Sequence, residues 1–261
     1  MVKIHILQTD NRPPLNTYLE LSINVNATMT KYLQESRQPS SQSSNQPSDE
    51  IYEYSYAFYP MPKEMYESMH PATAKILFMH AYLQLTTHDI VVFLDTDAWI
   101  QNPIFLDQLL KTLSKTPEKQ GCFSRDPYLE KNTYINSGSF ILKVNDYTKA
   151  MYKLLVEELT NPLTNTHLHI FPFDQYYISK FVYTHRNDFM IFRPEILNTP
   201  QGIILRHNWF KNQTMVHELQ NHIVCPFHTK ESSESYMFNF EQYYDKEDFP
   251  NTSKEGYEYF A

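Results

Sequence analysis

The stretch Asp89-Ile90-Val91-Val92-Phe93-Leu94-Asp95-Thr96-Asp97-Ala98-Trp99 decides the fold of this chain. A continuous apolar run between two acids is typical of a strand that is buried on both faces, as in a parallel sheet. In open α/β sheets, ligands bind at the carboxyl ends of the strands. The stretch therefore predicts that Asp95 and Asp97 lie at the rim of a ligand-binding crevice.

The pair of carboxylates in this stretch indicates a cation site. Two close carboxylates repel each other and stay ionised together only beside a cation. A hard ion such as Mg²⁺ or Mn²⁺ suits them and would also bind phosphate oxygens. The alternative is an acidic turn that caps the next helix, because a bare Asp-x-Asp also occurs by chance.

Strands and helices are predicted to alternate on both sides of this stretch. The strands are predicted at Lys3–Gln8, Ile51–Tyr59 and Ile135–Val144, and the helices at Pro13–Val25, from His70-Pro71 onward, at Tyr147–Leu159 and at Asp174–Tyr183. The alternation predicts an α/β fold with a mostly parallel, doubly wound sheet, in a single domain that spans residues 1–261. Residues 36–50 (SRQPSSQSSNQPSDE) contain no hydrophobe and predict a flexible surface loop. Beyond about residue 185 the pattern indicates short strands and loops.

Composition narrows the classes of partner. The net charge is −8 and no long basic run exists, which argues against nucleic acid as the main partner. Two cysteines, Cys122 and Cys225, are too few for a disulfide framework or a four-thiolate zinc site. No apolar run approaches membrane-spanning length, so we expect no transmembrane segment and a soluble, cytoplasmic protein. Aromatic residues make up 15% of the chain and serve either core packing or sugar stacking.

Several motifs resemble, in the same order, those of one known family. The family is the galactosyl/xylosyltransferase group that holds plant xyloglucan xylosyltransferases and galactomannan galactosyltransferases. The resembling segments are Ala74-Lys75-Ile76-Leu77, Asp95-Thr96-Asp97-Ala98, Asn136-Ser137-Gly138-Ser139-Phe140, Asp174-Gln175 and Arg206-His207-Asn208-Trp209-Phe210-Lys211. The order of the motifs over roughly residues 70–212 is more specific than any one of them. The family's membrane anchor and paired C-terminal cysteines are missing, as the anchor also is in soluble viral and bacterial enzymes of this fold.

The resemblance implies a nucleotide-sugar-binding fold of the GT-A, Rossmann-like type. It further implies a metal-dependent glycosyltransferase that moves a hexose or pentose from a nucleotide sugar, with a UDP-sugar expected. The acceptor would be a carbohydrate or glycan, and the anomeric configuration would be retained.

The resemblance also assigns metal ligands. Asp97 would be the main ligand, and Asp95 would bind either the metal or the donor ribose. His207 would be a third ligand, for which the alternative is an ordinary surface histidine. Imidazole suits Mn²⁺ better than Mg²⁺, so Mn²⁺ is the expected cofactor and Mg²⁺ the second choice.

Further residues are expected to contact the donor. Lys75 and Lys211 could neutralise the diphosphate leaving group, although a solvated surface lysine is the favoured alternative for Lys211. Gln8, Thr9 and Asp10 follow the first strand, where they would meet the nucleotide base or ribose.

The sugar end of the site is predicted from two of the motifs. Asn136 and Gly138 would line the sugar pocket, unless Gly138 marks a bulge needed only for packing. Asp174 and Gln175 would face the sugar and the acceptor hydroxyl. For Asp174 the alternative is a helix N-cap after Phe171-Pro172-Phe173.

Two other functions fit part of the pattern. A haloacid-dehalogenase-type phosphatase also places Asp-x-Asp after an apolar strand, with the first Asp as nucleophile. That class carries Thr or Val where this chain has Trp99, and its motif ends the first strand of the domain. The other alternative is a nucleotide- or carbohydrate-binding domain without catalysis.

Overall fold

A computed structural model describes residues 1–12, 17–36, 51–127, 134–208, 213–224 and 238–245. Of the predicted surface loop, all residues after Ser36 lie outside these ranges, so the loop stays a prediction. No helix in the described ranges is both long enough and apolar enough to cross a membrane.

The predicted strands and helices on both sides of the apolar run Ile90–Leu94 are confirmed, most of them with boundaries shifted by a few residues. The exception is the first helix, predicted to end at Val25, which continues to Glu35. The strands are β1 (Val2–Asp10), β2 (Tyr52–Pro60), β3 (Ile90–Leu94), β4 (Ala98–Ile100), β5 (Gly121–Arg125), β6 (Ile135–Lys143), β7 (Phe189–Phe192) and β8 (Leu205–His207). The α-helices are α1 (Thr17–Glu35), α2 (Pro71–Leu85), α3 (Pro103–Ser114), α4 (Asp146–Thr160), α5 (Asp174–Thr184), α6 (Pro194–Leu197) and α7 (Gln213–Val224).

Six of the described strands form one sheet in the order β2-β1-β3-β6-β5-β7. Strand β1 runs parallel to both β2 and β3, and β5 runs parallel to β7. Strand β6 is antiparallel to both of its neighbours, β3 and β5. The prediction of a mostly parallel α/β sheet is confirmed, with β6 as the strand that departs from it.

The central strand β3 is buried on both faces, as its unbroken apolar run predicts. Ile90, Val92 and Leu94 pack into a core with residues of α1 and α3. Val91 and Phe93 point to the opposite face, into a core with residues of α2, α4 and α5. All five residues of β3 are at most 2% exposed, so neither face of the strand meets water.

The register of the sheet brings the carboxyl ends of β1 and β3 to the same edge. In the parallel β1–β3 pair, Gln8 lies opposite Leu94, so the residues after each meet at the same carboxyl edge. A separate two-stranded ladder pairs β4 with β8 and brings the C-terminal part of the chain to that edge.

Five of the strands and α-helices were not predicted: β4, α3, β5, α6 and α7. Helix α3 has a readable start signal, since the Asn102 side chain accepts a hydrogen bond from the Phe105 N–H and Pro103 follows the cap. The expectation of short strands and loops beyond about residue 185 is wrong for Pro194–Leu197 and Gln213–Val224, which form helices α6 and α7.

Candidate functional site

A cavity of about 420 Å³ opens at the carboxyl edge of β1 and β3. It is lined by Thr9, Asp10, Asn11, Arg12, Met61, His70, Pro71, Ala72, Lys75, Asp95, Thr96, Asp97 and His207. The lining joins residues that follow β1 and β3, the first turns of α2 and the end of β8. The Asp-x-Asp segment therefore lies in a crevice of the kind that its strand context predicts.

Three potential metal ligands converge in this cavity. Asp95, Asp97 and His207 each offer an atom, and these atoms all lie within 4.8 Å of one another. Asp97 and His207 are buried, and Asp95 is half-buried. His207 Nε2 lies 3.3 Å from Asp97 Oδ1.

Strand pairing explains how His207 reaches the aspartates. In the antiparallel β4–β8 ladder, Ala98 lies directly opposite His207. The N–H of Asn208 donates to the carbonyl oxygen of Asp97 over 2.8 Å, which extends the ladder into the Asp-x-Asp segment. Two segments more than a hundred residues apart are thus held side by side by backbone hydrogen bonds.

Gly138 lies beneath the imidazole of His207. A Cβ at this position would overlap the ring, and even the far nitrogen Nε2 would be 2.6 Å away. The backbone φ of Gly138 is not in the positive region, so the glycine is needed for space rather than for conformation. The sequence predicts a close approach of backbone to a ligand here, and the structure shows a close approach to a histidine side chain.

Lys75 forms the ionic centre of the cavity wall. Its Nζ lies 2.9 Å from Asp95 Oδ2 and 3.0 Å from Oδ1, and 3.3 Å from Asp174 Oδ2. Burial alone would lower the pKa of Lys75, but the charges of Asp174 and Asp95 outweigh burial and raise it. The lysine is therefore a permanent cation that ties α2 to β3 and α5.

For Asp95, in contrast to Lys75, burial outweighs the charges of the neighbouring groups of opposite sign. Burial, reinforced by the charges of Asp97 and Asp174, raises its pKa to about 6, although Lys75 and His207 act to lower it. Two carboxylates of the described residues, those of Asp95 and Asp174, lie within 3.3 Å of the Lys75 ammonium, and a third, that of Asp97, lies beside Asp95 in the group of potential metal ligands. Such an arrangement stabilises a further cation.

Asp174 is the first residue of α5, and its side chain is 2% exposed. The alternative prediction that Asp174 caps this helix is wrong. Phe173 occupies the N-cap position with a φ of 56°, and no side chain caps the helix. The carboxylate of Asp174 instead faces Lys75, behind the cavity lining.

The three residues at the end of β1 lie at different depths. Gln8 is fully buried, and its amide bonds to Ser22, to the Asp95 carbonyl and to the Tyr56 hydroxyl. It therefore supports the Asp-x-Asp segment from beneath and does not line the cavity. Thr9 and Asp10 do line it.

Asp10 is paired with Arg12, a residue that sequence reasoning missed. Arg12 donates from Nε to Asp10 Oδ1 over 2.9 Å and from Nη2 to Oδ2 over 2.6 Å. A third bond runs from Nη2 to Thr96 Oγ1 over 3.0 Å. Burial raises the pKa of Asp10, but the hydrogen bonds from Arg12 prevail and lower it. Local spacing could have indicated this pair, since Arg12 follows Asp10 by two positions.

Asn136 and Gln175 stand behind the cavity rather than in its lining. Asn136 is 3% exposed, and its Oδ1 lies 3.0 Å from His207 Nδ1. Gln175 Nε2 donates to Asp126 Oδ2 over 3.0 Å. Asp126 is a buried acid that sequence reasoning missed, because β5, the short strand before it, was not predicted. Lys211 lies outside the described residues.

Comparisons with known proteins identify solved structures with a similar fold. No protein-family model and no curated protein matches the sequence. Among solved structures, a glycosyltransferase involved in the glycosylation of the major capsid of PBCV-1 is 14% identical, with a TM-score of 0.56 over 85% of this chain and 98% of that chain. Mouse xyloside xylosyltransferase 1 in its apo form is 12% identical, with a TM-score of 0.50 over 80% of this chain and 98% of that chain.

Sequence identities this low support a conclusion about the fold alone. Both similar structures are glycosyltransferases. The chain has the α/β fold of GT-A glycosyltransferase structures, with a mixed, mostly parallel central sheet flanked by helices.

Proposed function

We propose that this chain is a metal-dependent glycosyltransferase that transfers a sugar from a UDP-sugar to a hydroxyl of a carbohydrate acceptor. The observation that carries the proposal is the convergence of Asp95, Asp97 and His207 in a cavity at the carboxyl edge of β1 and β3. The similarity to glycosyltransferase structures supports it.

The ligand set fits a divalent cation. Two carboxylates and an imidazole, with donor atoms within 4.8 Å of one another, match the oxygen and nitrogen donors that Mn²⁺ accepts. The surplus of carboxylate over ammonium charge around Lys75 favours the same conclusion. When bound, such an ion supplies neutralising charge for a nucleoside diphosphate leaving group.

The cavity is large enough for part of a nucleotide sugar, since ligand pockets typically measure about 300–1,000 Å³. Thr9 and Asp10 would receive the nucleoside, with Arg12 holding the Asp10 carboxylate in a fixed orientation. Lys75 would hold Asp95 and Asp174 in place and add positive charge near the diphosphate. Lys211 would add further positive charge there.

The sugar end of the site would lie near Asp174 and Gln175. Asp174 is buried and held by Lys75, so its carboxylate is oriented before a substrate arrives. Retention of the anomeric configuration rests on the resemblance of the motifs. The acceptor would be a glycan, which the aromatic content of the chain also suits.

The phosphatase alternative has less support. In that class the first aspartate attacks phosphorus, but both carboxylate oxygens of Asp95 lie 2.9–3.0 Å from Lys75 Nζ. A carboxylate held by a buried ammonium is a weaker nucleophile, because attack would remove charge from the ion pair. A binding domain without catalysis differs from the proposed enzyme only in turnover.

A panel of nucleotide sugars tests the proposal. We expect a UDP-sugar to raise the melting temperature only when Mn²⁺ is present, and a ligand at 100 times its Kd stabilises by about 2.7 kcal/mol. We also expect slow release of UDP from the same donor. Binding without UDP release would favour the binding domain. Hydrolysis of a simple phosphate monoester, without nucleotide-sugar binding, would contradict the proposal in favour of the phosphatase.

A further inference from the structure

A second cavity, of about 460 Å³, opens between the end of β2 and the C-terminal half of α2. Its lining includes Tyr59, Phe78, Tyr82, Leu85, Thr87 and His88. None of these six residues lines the site cavity, the one that holds Asp95, Asp97 and His207. The volume of the second cavity lies within the range of about 300–1,000 Å³ that ligand pockets typically have.

Three aromatic rings lie close together in the wall of the second cavity. The ring of Tyr59, at the end of β2, lies 6.4 Å from the ring of Tyr82 and 6.5 Å from that of Phe78, centroid to centroid. Phe78 is 8% exposed and Tyr59 is 43% exposed, so Phe78 lies deeper than Tyr59. Leu85, the last residue of α2, is 83% exposed and extends the apolar rim. A ligand that fits this wall needs an apolar face.

The lining of the second cavity favours an uncharged ligand. Among the described residues, no lysine, arginine, aspartate or glutamate lines it. Burial is the main cause that lowers the pKa of His88, so this imidazole is neutral at neutral pH. Phosphate groups are bound by cationic side chains and hard metal ions by carboxylates, so neither ligand suits this cavity.

Hydroxyl groups accompany the aromatic rings. The hydroxyls of Tyr59 and Thr87 have no hydrogen-bond partner among the described residues. On the α2 side, Thr86 Oγ1 donates to the Tyr82 hydroxyl over 3.2 Å and lies 2.8 Å from His88 Nδ1, which fixes this part of the wall. A ligand can therefore meet aromatic faces and hydroxyl groups in one place. A pyranose ring offers the matching surfaces, because it has an apolar C–H face and an edge of hydroxyls.

Helix α2 leads from the site cavity to the second cavity. Lys75 lines the site cavity, and Phe78, about one helical turn further on, lines the second cavity. Beside α2, Met61 lines the site cavity, whereas its neighbours Pro60 and Pro62 line the second cavity. The two cavities are thus neighbours along one helix, and a short chain of sugar rings can reach both.

We propose that the second cavity binds a pyranose unit of the acceptor glycan, remote from the unit that receives the transferred sugar. The inference deepens the proposed function, and its link to the acceptor rests on that function. The rings of Tyr59, Phe78 and Tyr82 hold the C–H face of the sugar, and the hydroxyls of Tyr59 and Thr87 bond to its hydroxyls. The second cavity then favours acceptors that are longer than one sugar unit and takes no part in the chemical step.

Binding of simple sugars tests the second cavity without donor or turnover. The probes are the methyl glycosides of glucose, galactose, mannose and xylose, titrated while the backbone ¹H–¹⁵N NMR signals are followed. We expect at least one probe to bind with a Kd of about 1–10 mM, as its small size allows, and to shift the signals of Ala81, Tyr82, Thr87 and His88. If no probe shifts these signals, the inference is overturned. A separate titration with UDP and Mn²⁺ tests the site cavity, so failure of either proposal is recognised independently.

Two tyrosine variants and a matched control locate the sugar. Tyr59→Leu and Tyr82→Leu keep an apolar side chain but remove the aromatic face, so we expect each to bind the probe about 10-fold more weakly. Their affinity for UDP with Mn²⁺ should be unchanged. Tyr147→Leu is the control, because Tyr147 is a half-buried tyrosine of α4 outside both cavities whose hydroxyl donates to Asp188. Equal sugar affinity in the wild type and all three variants would contradict the proposed location.

Cyclohexanol separates a sugar site from a purely apolar one. It has a ring of similar size with a single hydroxyl, so we expect it to shift the same signals less than the best methyl glycoside does at equal concentration. Shifts with cyclohexanol and none with any glycoside would show that the cavity takes an apolar ligand instead.

Transfer kinetics test the link to the acceptor. With an acceptor of three or more sugar units, Tyr82→Leu should raise KM about 10-fold and leave kcat unchanged, because only binding remote from the reacting unit is lost. With a monosaccharide acceptor, KM should stay at the wild-type value. An unchanged KM for the longer acceptor would overturn the link, whatever the simple sugars do.

Discussion

Two polar clusters lie on the strands β1, β2 and β3 or beside them, and they differ in charge. The site cluster consists of Lys75, Asp95, Asp97, Asp174 and His207. The histidine cluster consists of His5, Ser55, Tyr82, Thr86 and His88. The histidine cluster is a chain of hydrogen bonds between groups without formal charge, with the rings of His5 and His88 stacked at 4.5 Å. The site cluster holds three carboxylates and one ammonium.

The difference separates a structural cluster from a binding site. In the histidine cluster, burial first and the neighbouring His88 second lower the pKa of His5 to about 4, so the fold keeps this imidazole neutral. In the site cluster, burial and the charges of Asp97 and Asp174 raise the pKa of Asp95 to about 6. Carboxylates that raise one another's pKa in this way are stabilised by a bound cation. Buried polarity alone would therefore not have identified the site, whereas several carboxylates gathered beside a cavity do.

The strongest test of this contrast removes Asp97. We expect Asp97→Ala to reduce sugar transfer by about 1,000-fold or more, because several kcal/mol of charge stabilisation by the ion are lost. The metal-free variant should be at least as stable as the wild type, since a repelling carboxylate is gone. Turnover assays and thermal melts measure the two effects. Asp107→Ala, outside the cavity, should keep full activity, and normal Mn²⁺-dependent turnover in Asp97→Ala would remove Asp97 from the site.

The next test removes the cation of the site cluster. Lys75→Met leaves the buried Asp174 without its ion-pair partner, and the expected loss in free energy of unfolding is about 3 kcal/mol in metal-free protein. The matched control is Lys111→Met, whose 3.2 Å pair with Asp107 lies on α3 with the lysine about one-third exposed. That loss should stay below about 1 kcal/mol. Urea unfolding measures both losses. Equal losses in free energy of unfolding for the two variants would show that the ion pairs of Lys75 contribute no more than a surface pair does.

A smaller effect is expected at Gly138. In Gly138→Ala the added methyl group displaces His207, so Mn²⁺ affinity should fall by about 10–100-fold through loss of one ligand. Gly121→Ala is the matched control, because its methyl group would overlap the Ile141 carbonyl oxygen in the same sheet. It should lower stability while the folded protein binds Mn²⁺ normally. If both variants bind Mn²⁺ equally well, His207 is not a ligand.

The smallest expected effect concerns the histidine cluster and pH. The folded pKa of His5 is about 4, below the ordinary histidine value of 6.5, so unfolded chains bind its proton first as pH falls. Stability should be unaffected by His5 above about pH 7 and decline between about 6.5 and 4. By pH 5.5 the loss should reach about 1 kcal/mol.

A variant isolates the contribution of His5 from that of the carboxylates. In His5→Asn the difference in free energy of unfolding from wild type should be constant above about pH 7. It should then shift in favour of the variant at lower pH, as measured by urea unfolding across the series. A difference that does not change with pH would show that His5 is not kept neutral by the fold.

The local sequence pattern was enough to predict the strand and the helices that carry the site residues. The unbroken run Ile90–Leu94 predicts a strand buried on both faces, and its acidic ends place Asp95 and Asp97 at a strand terminus. The start signal at His70-Pro71 predicts α2, which carries Lys75, and Asp174–Tyr183 is likewise predicted as the helix that carries Asp174. These features depend on neighbours in sequence, so hydrophobic pattern and turn chemistry encode them.

Tertiary structure alone decided which of these residues meet. The antiparallel direction of β6, the β4–β8 ladder beside Asp97, the space that His207 needs above Gly138 and the burial of Gln8 all depend on pairings between distant segments. Hydrogen-bond register and side-chain volume set such pairings, and neither leaves a periodic trace in the chain. The sequence predicts that two carboxylates follow a buried strand, and packing brings a histidine beside them.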